Sequence, residues 1–391
     1  MIKQTIKRII LPLKYYSHKA NSRYSVNDNY DCKRISFHGK SVFFGYYDLK
    51  PVKYGKHLLH MLSTDAVNGR DAAEIGYYNL ETETFTTIER TYAWSFQQGS
   101  RLRWGNGQYI YYNDYENEHY VTKKYNLEKE ESKIVANNAL YDISRDESFG
   151  ISVNFNRLQT LRPGYGYSNA RNYNISQDDL DNDGLIYVGL NSNDKKVLVS
   201  LRELSSGIHY DCYINHVAIS PESDKIMYFL LWNEGSKRRS KLYVYDLSNK
   251  ENRLIDDSVL VSHYSWINDK ELIITCVTDG KTEYRIYNID SEGYTVLKSE
   301  MLNTDGHPTF MNDHQFVSDT YPIKGVQRLF LYDTKNSAYE LIASLYAHPM
   351  LTGEQRCDLH PKVCDGILSI DTTCFGKYRS VMMFRRRKTH E

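Results

Sequence analysis

Four histidines recur in one context in the second half of the chain: Asn215-His216-Val217-Ala218-Ile219, Ser262-His263-Tyr264-Ser265-Trp266, Gly306-His307-Pro308-Thr309-Phe310 and Leu359-His360-Pro361-Lys362-Val363. Three residues after each histidine stands a large apolar side chain, and a polar turn follows. Equivalent positions of a repeat occupy equivalent places in space, so the four imidazoles are expected to converge. Neutral imidazole is the commonest side-chain metal ligand, and three or four on one concave wall suit a divalent transition metal. Asp305 and Asp358 each lie two residues before one of these histidines, placed either to orient a ring or to add an oxygen ligand. A lone histidine at a strand start usually fills space; four of 13 on one register favour a cluster.

Arginine matches a carboxylate or phosphate with two parallel hydrogen bonds, which makes Arg101, in Gln97-Gln98-Gly99-Ser100-Arg101, and Arg157, in Asn154-Phe155-Asn156-Arg157, the expected anion binders. Gln98 is a polar candidate for substrate beside Arg101, as are Tyr321 of Ser318-Asp319-Thr320-Tyr321-Pro322 and the nearby Arg328. The tyrosines of Gly164-Tyr165-Gly166-Tyr167 are expected to form a mobile aromatic lip over such a site.

The elements that must carry these residues are strands. From about residue 33 the sequence reads as short strand signals between turns, with hardly any helical periodicity. The unit is clearest at 213–247, where Tyr213 to Ile219, the turn Ser220-Pro221-Glu222-Ser223-Asp224, Lys225 to Trp232 and Lys241 to Asp246 succeed one another. Apolar anchors before the first turn of each unit, at Leu49, Trp104, Ile143, Ile219, Trp266, Phe310 and Val363, give seven units. The fold class expected is all-β, a seven-bladed propeller over 31–391, with an insertion in blade three at about 163–183. The last unit offers three strands, and Asp31 to Phe37 is expected to supply its fourth and close the ring. In such a ring the first strand of every blade lines the channel, and the residues three before the anchors are Tyr46, Arg101, Leu140, His216, His263, His307 and His360.

Composition limits the partners. With 391 residues, 49 basic and 49 acidic side chains and pI near 7.2, nothing global points to nucleic acid. The six cysteines show no C-x-x-C spacing and read as reduced thiols of a cytoplasmic protein, and the 35 tyrosines favour strands. Residues 1–30 form a separate basic segment: Ile2, Ile6, Ile9, Ile10 and Leu13 fall near one helical face with Lys3, Lys7, Arg8 and Lys14 around it. That is the pattern of an interfacial helix, so residues 2–16 are expected to allow peripheral attachment to the inner leaflet. The closing run Arg385-Arg386-Arg387-Lys388 would add positive charge or simply be solvated.

The blade unit at 213–247 resembles the repeat of TolB-like propellers, and with the channel histidines the chain resembles the oligogalacturonate lyases. Those are seven-bladed propellers that hold manganese through histidines and a glutamine. The resemblance implies His263, His307 and His360 as ligands of a divalent metal such as manganese, with His216 a fourth ligand or an acid/base group. No glutamine stands in the Asp305–His307 or Asp358–His360 segments. The chain also resembles proteins of bacterial surface-polysaccharide gene clusters. A lyase on a uronate-containing oligosaccharide would need its C6 carboxylate neutralised, by the metal with Arg101, and its C5 proton removed, by His216 or Tyr46. Two alternatives stay open: a glycosyl- or phospho-transfer enzyme of capsule or O-antigen synthesis, and a glycan-binding scaffold without catalysis.

Overall fold

The computed structural model of the chain describes residues 2–18, 23–64, 71–170, 172–190, 192 and 194–387, with side chains from residue 6 onward. Seven antiparallel sheets follow one another as the blades of a propeller, with contacts between the innermost strands of blades three to seven and, at the seam, between the innermost strand of blade one and Ser380–Arg386. Blade four shows how sequence sets the layers. Its second strand, Lys225–Glu234, runs Ile-Met-Tyr-Phe-Leu-Leu without alternation because both faces are covered by neighbouring blades. Its outermost strand, Glu251–Asp256, is polar and largely exposed.

Tyrosines suit the wedge-shaped gaps between blades, since a large ring fills the gap and its hydroxyl reaches a partner at the rim. Tyr228 donates to Asn252 Oδ1 at 2.8 Å and Tyr332 to the Lys298 carbonyl at 3.2 Å, with both rings fully buried.

The ring closes as the sequence indicates. Tyr30–Ile35 pairs antiparallel with Ser380–Arg386, so blade seven joins both ends of the chain. The propeller begins earlier than residue 31, however. Tyr24–Val26 adds a fifth strand to blade six by pairing with Ala338–Tyr346.

Two local expectations change. Asn154 to Arg157 is not strand: Asn154 caps a helix, Phe155–Leu161, by accepting from the Arg157 N–H, which is the bond that Asn side chains favour over a sheet ladder. The insertion of blade three therefore opens at this helix and runs to the third strand, Gly184–Gly189. All six cysteines are free, four of them buried. A helix, Ile2–Ser17, precedes the propeller and carries Pro12 in its interior. No helix among the described residues is long and apolar enough to cross a membrane. Of the closing basic run, Lys388 lies outside the described residues; Arg386 and Arg387 pair with Glu340 and Asp31 at the surface.

Candidate metal centre

The innermost strands of blades four to seven bring the four histidines together. Ring centroids lie 4.0 Å apart for His263 and His307, 4.4 Å for His307 and His360, and 5.9 Å for His216 and His263. Tyr46 from blade one completes the circle, 4.9 Å from His360 and 5.3 Å from His216. All five rings are buried.

Backbone irregularities aim them inward. His216 sits at a bulge, between Asn215 paired to Phe229 and Ala218 paired to Met227, with φ of 57°. Arg101 and His360 are likewise left-handed, at φ of 53° and 47°. Such conformations cost non-glycine residues about 1–3 kcal/mol each and collect at functional sites. Gly306 lets the His307 segment lie against blade six, since a Cβ there would fall 2.0 Å from the Asp319 carbonyl.

Carboxylates then fix the rings. Asp319, fully buried, accepts from His307 Nδ1 at 2.7 Å and from its backbone N–H at 2.9 Å, while its second oxygen takes the N–H groups of Leu359 and His360 at 3.1 and 3.2 Å. Asp305 accepts from His263 Nδ1 at 3.0 Å and from Ser262 and Thr275. His360 Nδ1 donates to the Gly45 carbonyl at 3.2 Å. Asp358 takes Arg356 on one oxygen, at 2.6 and 3.0 Å.

What remains is a convergent set of donors. His307 Nε2, His360 Nε2 and Asp358 Oδ1 are buried and have no hydrogen-bond partner among the described residues. His307, Asp358 and His360 also offer ligand atoms that all lie within 4.8 Å of one another. Two imidazole nitrogens and a carboxylate oxygen, each held by an outer partner, fit a first-row divalent cation. His263 and His216 border this set without joining it. The Nε2 of His263 faces the Tyr321 hydroxyl at 3.5 Å, and the Tyr46 hydroxyl lies 3.0 Å from His216 Nδ1.

Protonation follows from these partners. Burial holds His216 and His360 well below the ordinary imidazole range, helped by the neighbouring histidines. Burial lowers His263 too, with His307 adding to it against the pull of Asp305. At His307 burial acts the same way, but Asp319, then Asp358 and Asp305, outweigh it and raise the imidazole. Burial holds the phenols of Tyr46 and Tyr321 far above their usual range.

The expected anion binders are occupied elsewhere. Arg101 is buried, with four of its five N–H groups spent on both oxygens of Asp48 at 2.7 and 3.1 Å, on Gln98 Oε1 and on the Tyr141 carbonyl. Gln98 is consumed in the same network, giving its amide to the Tyr141 hydroxyl. Arg157 holds Asp178, Asp211 and the Cys212 carbonyl at the helix of blade three. Arg328 is exposed on a middle strand of blade six, its backbone paired with Thr320.

Nor is the expected lip free of the protein. Tyr167 stacks on Phe155 at 4.5 Å and bonds Asn113, fully buried, so it braces the insertion. Tyr165 packs edge-on against Tyr46 at 6.5 Å and His216 at 6.0 Å, capping the cluster from inside. Tyr321 stays at the edge, 5.8 Å from His307, with the Arg356 guanidinium 4.8 Å over its ring. Leu140, the gap in the ring, reflects a shift of one residue: at a bulge in blade three it is Tyr141 that turns inward, meeting Gln98, Asn215 and the His216 N–H. Arg356, Asp319 and Tyr47 were outside the repeat register. Tyr47 sits among His263, His307 and His360, signalled only by its adjacency to Tyr46.

Neither a protein-family model nor a curated protein matches the sequence. Among solved structures, an oligogalacturonate lyase from Vibrio parahaemolyticus is similar with a TM-score of 0.67 at 12% identity, over 94% of this chain and 98% of its own. A manganese complex of oligogalacturonate lyase is similar with a TM-score of 0.66 at 12% identity, over 91% and 93%. The β-propeller domain of the trilobed protease from Pyrococcus furiosus follows at 0.52 and 12%, over 89% and 97%. At such identity the likeness shows a shared propeller fold.

Proposed function

We propose that this chain is a metal-dependent lyase acting on a uronate-containing oligosaccharide. The observation that carries the reading is the set of unpartnered donors on His307, Asp358 and His360. Its support is a whole-length likeness in fold to a lyase described with manganese. A divalent cation bound there would neutralise a C6 carboxylate and so acidify the C5–H bond.

The chain's own groups supply the rest. Arg356, half-exposed over Tyr321, replaces Arg101 as the guanidinium that grips the uronate. The Tyr46–His216 pair takes the C5 proton. Burial leaves the imidazole uncharged beforehand, so it has the capacity to hold that proton. Tyr321, kept protonated by burial, passes its proton to the leaving oxygen as the C4–O bond breaks and C4=C5 forms, and recovers one from water after the product leaves.

The test is ultraviolet absorbance of the new double bond when metal-loaded protein meets a panel of uronate oligosaccharides. Absorbance that chelation abolishes is the expected result. No absorbance with any member, from protein that holds stoichiometric metal, would overturn the lyase assignment.

A further inference from the structure

The N-terminal helix turns its apolar face away from the protein. Tyr15 is its anchor: the ring is buried and the hydroxyl donates to the Thr373 carbonyl at 2.9 Å. The Tyr16 hydroxyl meets His348 Nε2 at 3.1 Å, and Leu11 lies over Gly325, where a Cβ would come within 3.2 Å of it. Docked by that side, the helix leaves Ile6, Ile9, Ile10 and Leu13 47–65% exposed, at the three- and four-residue spacing of one helical face, with Tyr16 at its edge. A water-soluble helix would present polar residues there.

The segments that receive the helix extend the same patch. Ile323, two residues from Gly325, and Met350, two from His348, are also exposed, Met350 to 64%. Lys7 and Lys14 flank the stripe and Arg8 lies on the Tyr15 side of the helix, all three exposed and with no ion-pair partner among the described residues. Residues 2–18 contain no carboxylate, and neither do the receiving segments 321–326, 346–352 and 373–378, which add Lys324 and Lys377. An apolar stripe rimmed only by positive charge matches an anionic lipid surface, whose acyl boundary takes the aliphatic chains and whose headgroups meet the lysines. A second copy of the chain is the poorer occupant, because an isologous contact would set these cations against their own images.

We propose that the helix and its receiving loops form a docking surface for an anionic bilayer. The docking side of the disc is also the side of the metal centre. A single connection, from the end of blade six to the start of blade seven, carries His348 against the helix and then Arg356, Asp358 and His360 in the cluster. A membrane-bound protein would thus hold that connection at the bilayer surface.

Flotation of the full chain with phosphatidylcholine vesicles, with and without phosphatidylglycerol, tests this. Binding to the phosphatidylglycerol vesicles, weakened by salt, is expected. Ile9→Glu with Leu13→Glu should abolish it at an unchanged melting temperature, and Lys7→Gln with Lys14→Gln should weaken it about tenfold or more. Failure to float with phosphatidylglycerol vesicles, or equal binding by the Ile9→Glu/Leu13→Glu protein, would overturn the proposal. So would a dimer of the unaltered chain in solution that this variant dissociates.

Discussion

Asp319 ties two histidine segments together: one oxygen fixes His307, the other the backbone of Leu359 and His360. Outer partners of this kind typically account for about 10–100-fold in metal affinity. Asp319→Asn is therefore expected to weaken manganese binding by that factor in calorimetry, and His307→Ala to abolish stoichiometric metal altogether. Arg101 belongs to stability instead. Its removal would strand Asp48 in a buried network, so Arg101→Ala should lose about 3–5 kcal/mol in urea unfolding. His60 sets a pH dependence away from the site. It is buried, packed on Phe85, and burial lowers its pKa to about 3. The unfolded chain protonates this ring near pH 6.5 and the folded chain does not, so stability is full above that pH and falls as pH drops toward 3. Between pH 7.5 and 5 the loss from this residue is about 2 kcal/mol, and His60→Leu should remove that share of the slope. The histidines were legible because each stands three residues before the apolar anchor of its innermost strand, a spacing that the repeat preserves. Asp319 and Arg356 were not, since a strand end and an irregular connection have no period that places them. Arg101 and Arg157 misled for a plain reason: spacing locates a guanidinium but says nothing of the carboxylates already beside it.

At the level of elements, strand runs and turn residues identified six of the seven innermost strands by their anchors; Leu49 alone falls outside, after Ser41–Phe43. The closing strand could be inferred because the last unit lacked a partner. Tyr24–Val26 could not, since three residues carry too little pattern to distinguish them from a linker. The helix Phe155–Leu161 was hidden by its Asn cap, read as part of a strand. The two N-terminal elements should differ sharply on deletion. Removing residues up to Ser17 gives up chiefly the burial of Tyr15, about 2–3 kcal/mol, and should leave a folded ring by circular dichroism. Removing residues through Ile35 opens the blade seven edge along Ser380–Arg386 and should yield aggregating protein on size exclusion.

For the molecule as a whole, the ring makes every blade both support and load, and its seam lies in blade seven, where chain start meets chain end. That seam has a consequence in time. Ribosomes add about 5–20 residues per second, so the strand Tyr30–Ile35 waits roughly 20–70 s for Ser380–Arg386 to be made. Throughout that wait it is an unpaired edge in a crowded cell, open to any other nascent strand. Its sequence, Tyr-Asp-Cys-Lys-Arg-Ile, sets three charges among six residues, Asp31, Lys33 and Arg34. Charges so placed discourage pairing with a foreign strand while leaving the backbone free for the right one, so the strand that finishes the fold carries its own guard during synthesis.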